Sequence, residues 1–239
     1  MIPLKVGLQS TWSRRTWKEI MDYVQEYWDK DYYITDFDYG DGQYRVVMTK
    51  DCGWDGQAIR SGKTFPKEKV DEMWNKGYRI TNVAHDGEDW IVVMSSGNTG
   101  LGAQSWFTRT RWEDFKSEIQ KAWNEGYDIT KVAYGDGTYC GVMSKGLDWT
   151  QSWNFIAGEI TQKEMDNMYP DEKIITDVMD ANGGLFLVRS GRTPYDDQGL
   201  FKSSNWDRLN EKMSEMWDKG YAITSFGYYR GEWFMLMSK

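Results

Sequence analysis

The segment Trp74-Asn75-Lys76-Gly77-Tyr78-Arg79-Ile80-Thr81 decides the fold, because its pattern recurs four more times in this 239-residue chain. The Ile-Thr pair at its end returns at nearly constant intervals of 46, 49, 46 and 48 residues, with the threonines at Thr35, Thr81, Thr130, Thr176 and Thr224. An aromatic residue stands six positions before each isoleucine, at Trp28, Trp74, Trp123, Tyr169 and Trp217. Such a fixed period predicts five copies of one structural unit of about 48 residues.

Two further anchors keep the same register along the chain. One glutamine occurs in each unit, at Gln9, Gln57, Gln104, Gln151 and Gln198. A hydroxyl residue closes an apolar run in each unit, at Thr49, Ser95, Ser144, Ser190 and Ser238. Three independent anchors in register make the repeat the main organising feature of the sequence.

Each unit contains the pattern of a helix followed by a β-hairpin. In the third unit the apolar residues share one face of a helix, at Trp112, Phe115, Ile119, Ala122 and Trp123. A turn at Gly135-Asp136-Gly137 then separates two runs of alternating apolar residues, which is typical of a hairpin. A short third strand is expected at each glutamine, so the unit is predicted as strand-strand-(strand)-helix.

The ends of the chain are out of phase with these units, which predicts a ring. Residues 220–239 end after a hairpin, whereas residues 1–30 supply a strand and a helix. We therefore expect residues 1–239 to form one toroidal domain in which residues 1–30 complete the fifth unit. The predicted class is α/β, a closed five-fold pseudosymmetric ring that resembles the α/β propeller of pentein proteins. A five-bladed β-propeller is the alternative.

Composition and charge exclude several classes of partner. The formal net charge is -8 and the isoelectric point is near 4.9, which disfavours binding to a phosphate backbone and hence to nucleic acid. No apolar run approaches the ~20 residues that span a bilayer, and no secretory leader is recognised at the N-terminus. Cys52 and Cys140 form neither a disulfide framework nor a zinc motif, so no metal or cofactor is expected. The prediction is a soluble, monomeric, cytoplasmic protein.

The second unit resembles a known repeat. The resemblance is carried by the motif Trp-x-x-Gly-Tyr-x-Ile-Thr at residues 74–81, by Val92-Val93-Met94-Ser95 and by the loop to Gln104. It is similar to the uncharacterised repeat domain at the C-terminus of plant casein-kinase-1-like protein kinases, and similar repeats are associated with bacterial kinases and caspase-like proteases. The resemblance covers essentially the whole chain. It implies an accessory module beside signalling enzymes and supplies no catalytic residues.

The candidate ligand-binding residues are the repeated glutamines and the aromatic residues of nearby loops. The five glutamine amides either satisfy backbone groups of the frame or face a pore or pockets. Trp54, Trp149 and Tyr195 either pack between units or stack on a ligand. Arg189 replaces the methionine that the other four units carry, so a buried position would require a carboxylate or a ligand as its partner.

Three functions remain open from the sequence. The leading hypothesis is a non-catalytic binding or scaffold module that recruits a protein or peptide partner. The second is a lectin-like multivalent binder of carbohydrate or another small ligand. The third is an enzyme of the pentein type, which needs a cysteine and a histidine close together, and the chain offers only Cys52, Cys140 and His85. Because the polar positions repeat, we expect no enzyme.

Overall fold

The computed structural model describes residues 7–158, 161 and 173–239. These residues form fifteen strands and four helices, arranged as five units. The first unit contains β1 (Gln9–Arg14), α1 (Trp17–Trp28), β2 (Tyr32–Gly40) and β3 (Gln43–Lys50). The second contains β4 (Trp54–Gly62), α2 (Lys67–Asn75), β5 (Arg79–His85) and β6 (Trp90–Gly97).

The third and fifth units repeat this order of elements, and the fourth repeats its three strands. The third contains β7 (Gln104–Arg109), α3 (Trp112–Asn124), β8 (Asp128–Gly135) and β9 (Thr138–Ser144). The fourth contains β10 (Thr150–Ala157), β11 (Ile174–Asp180) and β12 (Gly184–Gly191). The fifth contains β13 (Gln198–Ser203), α4 (Trp206–Asp218), β14 (Ala222–Tyr229) and β15 (Glu232–Ser238). The weak helical pattern around Met165, and the aromatic anchor Tyr169, lie outside the described residues.

Local sequence explains where the helices and hairpins begin and end. Thr16 and Glu19 form a capping box at the start of α1. Helices α2, α3 and α4 are each followed by a glycine with positive φ, at Gly77, Gly126 and Gly220. Asp136 and Gly137 both have positive φ, 45° and 69°, which is the two-residue turn that matches strand twist.

Each unit forms its own three-stranded antiparallel sheet, with the last strand in the middle. The strand orders are β1-β3-β2, β4-β6-β5, β7-β9-β8, β10-β12-β11 and β13-β15-β14. We call the strand that carries the Ile-Thr pair the inner strand of its unit. Three strands with an intervening helix differ from the four-stranded blade of a β-propeller, which was the alternative fold.

This pairing corrects the predicted exchange between the chain ends. β1 pairs with β3 of its own unit, from Gln9 opposite Thr49 to Arg14 opposite Tyr44. The fifth sheet is complete from residues 198–238 alone. Residues 1–30 therefore do not complete the fifth unit. Each glutamine strand pairs with the hairpin that follows it in the chain, not with the hairpin that precedes it.

The inner strands lie against one another. β2 contacts β5, β5 contacts β8, β8 contacts β11, β11 contacts β14, and β14 contacts β2 again. The apolar cores are also shared between units: Val47 of β3 packs with Leu209, Phe226 and Trp233 of the fifth unit. No described helix is both long and apolar enough to cross a membrane.

Candidate functional site

A β-bulge interrupts every inner strand at its threonine. The pairing register shifts between Ile34 and Asp36, and at the equivalent step of the other four inner strands. The threonine hydroxyl bonds the hydroxyl residue that ends the middle strand, at 2.7 Å between Thr35 and Thr49 and at 2.7–3.2 Å in all units. A bulge changes the direction of the side chains that follow it. The repeated Ile-Thr pair therefore sets the orientation of the residue after the threonine.

The five repeated glutamines join each unit to its neighbour. The Oε1 atom of Gln57 accepts the indole N–H of Trp28 at 2.9 Å and the backbone N–H of Ile34 at 2.7 Å. Its Nε2 atom donates to the backbone oxygen of Ile34 and to Ser95 Oγ, both at 2.9 Å. An amide side chain offers two donors and two acceptor sites, so all four are used.

The same arrangement joins the fifth unit to the first. Gln9 accepts from the indole of Trp217 at 3.3 Å and from the N–H of Ile223 at 2.7 Å, and it donates to Ile223 O at 2.9 Å and Thr49 Oγ1 at 3.2 Å. The other three glutamines bond the isoleucine of the preceding unit in the same way, through the pairs Gln104–Ile80, Gln151–Ile129 and Gln198–Ile175. These amides hold the frame together, and ligand binding by them would have to break frame hydrogen bonds.

A buried polar cluster lies where the inner strands meet. It consists of the five residues that follow the bulge threonines, Asp36, Asn82, Lys131, Asp177 and Ser225, and we call it the central cluster. The ammonium group of Lys131 donates to Asp36 Oδ1 at 2.9 Å and to Asp177 Oδ1 at 3.0 Å. Asn82 donates to Asp36 Oδ1 at 2.6 Å, and Ser225 donates to Asp177 Oδ1 at 3.2 Å.

Backbone groups complete the hydrogen bonds of both carboxylates. Asp36 Oδ2 accepts the N–H of Phe226 at 2.5 Å, and Asp177 Oδ2 accepts the N–H of Val132 at 2.6 Å. Burial alone would lower the pKa of Lys131, but the adjacent carboxylates of Asp177 and Asp36 outweigh it and raise that pKa. Lys131 is therefore a buried ammonium group, charged at neutral pH, between two acidic side chains.

A small cavity of about 80 Å³ opens above the central cluster, and we call it the central cavity. Lys131 is part of its lining, together with Asp38, Ala84, Ala133 and Met179. The third residue after each cluster residue also lines this cavity, and we call these five residues the rim: Tyr39, His85, Tyr134, Asp180 and Tyr228. Four of the five units thus place an aromatic ring at the rim, and the fourth unit places a carboxylate there.

Asp38 is the group of the central cavity whose pKa lies nearest to neutral pH among those with a stated value. Burial raises its pKa to about 7; Lys131 opposes this shift, and Asp36 and Asp177 add to it. One carboxyl oxygen accepts the backbone N–H of Tyr39 at 2.8 Å. Asp38 therefore gains and loses its proton near neutral pH.

The rim rings are held by packing, on one side in all four units and on two sides for His85 and Tyr228. Each lies against an aromatic ring of the middle strand, with centroid distances of 4.7–5.1 Å for the pairs Tyr39–Tyr44, His85–Trp90, Tyr134–Tyr139 and Tyr228–Trp233. Two of them also cover a glycine of the next unit. A Cβ atom on Gly135 would lie 2.0 Å from Cγ of His85, and one on Gly40 would lie 2.3 Å from Cγ of Tyr228.

The predicted loop aromatics are buried instead of presented to solvent. Trp54, Trp149 and Tyr195 are 7–8% exposed. Trp54 packs with Cys52 and Leu101, and Tyr195 packs with Ile174. These rings offer little free face for stacking on a ligand. Arg189 is also buried, at 9% exposure, on the middle strand β12.

A second concave site brings Trp149 and Gln151 together. This cavity of about 370 Å³ is also lined by Trp123, Tyr127 and Arg192. The carboxyl groups of Asp128 and Asp148 complete the polar part of its wall. Arg192 has a φ of 61°, and the equivalent position is occupied by Gly97 in the second unit and by Gly146 in the third.

The two cysteines and the histidine do not form a nucleophile–base pair. Cys140 is fully buried in the middle strand β9, and burial raises the pKa of its thiol. Cys52 is buried beside Trp54, and burial raises its pKa as well. His85 lies at the rim of the central cavity, and burial lowers its pKa. Neither cysteine is part of the lining of that cavity. Among the described residues, no group of three or more His, Cys, Asp or Glu side chains is arranged to hold a metal ion.

The central cluster was missed by the sequence analysis because its residue type varies. The positions after the five threonines read Asp, Asn, Lys, Asp and Ser, so a search for repeated identities passes over them. The detectable feature was polarity: each follows an apolar isoleucine and the anchor threonine, within a strand that is otherwise mostly buried.

Comparison with known proteins gives one match. Residues 17–135 match the family model described as a domain of unknown function (DUF7477). The matched segment has 119 of the 239 residues, just under half of the chain, and it extends from the start of α1 to the end of β8. No curated protein matches the chain. The chain is thus similar to this family over a segment from α1 to β8.

Proposed function

We propose that the five units close into a five-fold α/β ring and that the ring is a non-catalytic binding module for a protein or peptide partner. The cyclic contacts of the inner strands support closure, as do the bonds between Gln9 and Ile223. In this arrangement the central cluster lies on the axis of the ring, and the central cavity is the opening to that axis.

One observation carries the binding function. The five units are alike in the groups that build the frame, the glutamine, the threonine and the terminal hydroxyl, and all of these are used up in hydrogen bonds. They differ at the centre, where the residue after the threonine is Asp, Asn, Lys, Asp or Ser and the rim residue is Tyr, His, Tyr, Asp or Tyr. Divergence at a single concave place within an otherwise repeated frame is typical of a binding site, because the frame alone does not require it.

The burial of both thiols favours binding over covalent catalysis. A cysteine nucleophile needs a lowered pKa and an adjacent base, whereas burial raises the pKa of both Cys52 and Cys140. The remaining features of the proposal, a monomeric cytoplasmic protein that assists a signalling enzyme, rest on the sequence resemblance and on the free thiols of both cysteines.

A peptide-display experiment tests the proposal. Random linear peptides are selected on the purified protein, and the dissociation constants of the selected peptides are measured by fluorescence anisotropy. The variant Ala133→Leu enlarges a side chain that lines the central cavity and also packs in an apolar core, so its fold is first verified by circular dichroism. Ala157→Leu makes the same change at an exposed position of β10. We expect Ala133→Leu to weaken binding about tenfold or more and Ala157→Leu to leave it unchanged. Selection of no peptide, or equal binding to Ala133→Leu, would refute the proposal.

A carbohydrate-binding function is the second candidate, and the cavity around Tyr127 favours it. This cavity is larger than the central cavity, and it combines partly exposed aromatic residues with carboxylate and guanidinium groups, as sugar sites do. Glycan-array binding that disappears in both Tyr127→Ala and Arg192→Gly would support it. Glycine suits the positive φ at position 192, so the second variant tests the guanidinium group without straining the loop.

A further inference from the structure

We propose that the central cavity recognises an alkylammonium group, such as the end of a lysine side chain presented by the partner. This inference rests on the proposed binding function and adds the chemistry of the ligand. The excess of negative charge, an unpaired buried acceptor and the aromatic rim each point to a cation that also donates hydrogen bonds.

The charges around the cavity do not balance. Four carboxyl groups lie in the central cluster or in the cavity lining, at Asp36, Asp38, Asp177 and Asp180. The cations near them are Lys131, which is committed to Asp36 and Asp177, and Arg230, which approaches Asp180 from the last hairpin turn. The lowered pKa of His85 keeps its ring neutral at pH 7. The region therefore carries an excess of negative charge whenever Asp38 is ionised.

The central cluster also contains an acceptor without a donor. Asn82 is 1% exposed and its Nδ2 atom donates to Asp36, but its Oδ1 atom has no hydrogen-bond partner among the described residues. A buried carbonyl oxygen without a donor costs free energy that an incoming N–H group would recover. Asn82 is not part of the cavity lining, so an ammonium group in the cavity would donate directly to Asp38 and would reach the Asn82 oxygen through a bridging water.

The rim supplies faces for a cation. Tyr39 and Tyr134 line the opening, and each packs against one ring of its own middle strand, Tyr44 or Tyr139. An ammonium group over an aromatic face is attracted by the ring quadrupole, more strongly when it is desolvated. Asp180 occupies the fourth rim position and adds a carboxylate beside the rings.

Size and geometry favour an ammonium group over larger cations. The cavity of about 80 Å³ is roughly half the volume of a cavity that accepts benzene, about 150 Å³, so only a terminal group enters. One oxygen of Asp38 already accepts the N–H of Tyr39, which disfavours the two-pronged contact of a guanidinium fork. The remainder of the ligand stays outside the cavity, as expected for a side chain of a peptide or protein.

The first experiment uses Nα-acetyl-lysine amide as the probe. Binding is followed by the NMR shifts of the backbone amides of Ala84 and Ala133, which line the cavity. The matched control ligand is the same molecule acetylated at Nζ, which removes the charge and two donors. We expect saturable shifts with the lysine probe and none with the acetylated probe. Equal shifts with both probes would overturn the inference.

The variant Asp38→Asn tests the carboxylate, and Asp22→Asn on the exposed face of α1 is its control. We expect wild-type affinity to fall about tenfold between pH 8 and pH 6, because the ionised fraction of Asp38 falls by about that factor. Asp38→Asn should bind about tenfold more weakly at pH 8 and lose this pH dependence, whereas Asp22→Asn should behave like the wild type. An Asp38→Asn variant that is folded by circular dichroism and binds normally would contradict the assignment.

The peptide experiment separates this inference from the proposed function. If selected peptides need the open cavity but contain no basic residue, the binding function stands and the ammonium site is wrong. If the lysine probe binds while no peptide is selected, the ammonium site stands and the peptide-binding function is wrong.

Discussion

The buried ammonium group of Lys131 is the most informative single target in the frame. Its Nζ atom lies 2.9 Å and 3.0 Å from carboxylate oxygens of Asp36 and Asp177, and all three side chains are at most 9% exposed. The substitution Lys131→Met keeps most of the volume and removes the charge. It leaves two buried carboxylates facing each other without a cation, and removing one partner of a buried ion pair typically costs about 3–5 kcal/mol.

This loss should depend on pH with a definite sign. In the variant, burial and mutual repulsion raise the pKa values of the two carboxyl groups, so the folded state binds protons more strongly than the unfolded state. Stability then increases as pH falls through those raised pKa values, and the destabilisation is larger at pH 8 than at pH 5. In the wild type the raised pKa of Lys131 means that its contribution is present throughout this range and is lost only in strong alkali.

Urea unfolding followed by tryptophan fluorescence measures the effect at pH 5, 7 and 8. We expect the free energy of unfolding at pH 7 to fall by about 3–5 kcal/mol, equivalent to a decrease in Tm of roughly 6–20 °C for a domain of this size. The triple variant with Asp36→Asn and Asp177→Asn added should recover part of the loss, because no buried charge remains. A loss below about 1 kcal/mol that does not change with pH would refute the assignment of a buried, unscreened triad.

Three further substitutions test the frame. Gln57→Ala should reduce the free energy of unfolding by about 2–4 kcal/mol, because several buried polar groups lose their partners. The control Gln25→Ala, at an exposed position, should change it by less than about 0.5 kcal/mol. Equal effects of the two variants in chemical denaturation would contradict the role of Gln57 in joining neighbouring units. Gly135→Ala should lower the free energy of unfolding by about 1–3 kcal/mol, because the new methyl group displaces the ring of His85. Adding His85→Ala should restore part of that stability in thermal melts. No recovery in the double variant would show that this contact is not the cause. Arg45→Met should leave Tm unchanged or raise it, because this buried cation packs on two indole rings and makes no salt bridge with a described carboxylate, Asp41 acting on it only at longer range. A large decrease would show that the cation–π contacts outweigh the desolvation.

The repeat could be recognised from the sequence because its anchors serve the same local purpose in every unit. The helix faces, the glycines after the helices and the Asp-Gly turns follow from local geometry, which neighbouring residues specify. The glutamine and the terminal hydroxyl could be placed in register for the same reason. Their partners could not be predicted, because Gln57 bonds residues of the preceding unit 23 and 29 positions away.

The exchange of strands between the chain ends was predicted wrongly for an equally physical reason. A glutamine strand lies between two hairpins, one before it and one after it in the chain, and the repeat makes both pairings look equivalent in sequence. Register is chosen by the burial of one face and by the length of the connection. Helix α1 connects the two outer strands of the first sheet, β1 and β2, and β3 lies between them. β1 therefore pairs with β3, and the unit is one contiguous segment of the chain.

The candidate site shows the same division between local pattern and tertiary structure. The sequence by itself determined five units, their helices and hairpins, and an acidic chain rich in aromatic residues, because periodicity and turn chemistry act over short distances. Only the tertiary structure decided that the residues after the five threonines meet, although they stand 46–49 positions apart in the chain. Their meeting depends on the bulge of each strand and on the packing of one inner strand against the next. One site is formed only because five distant segments enclose the same small volume, and this site combines the charge of Lys131, the proton of Asp38 and the aromatic rim.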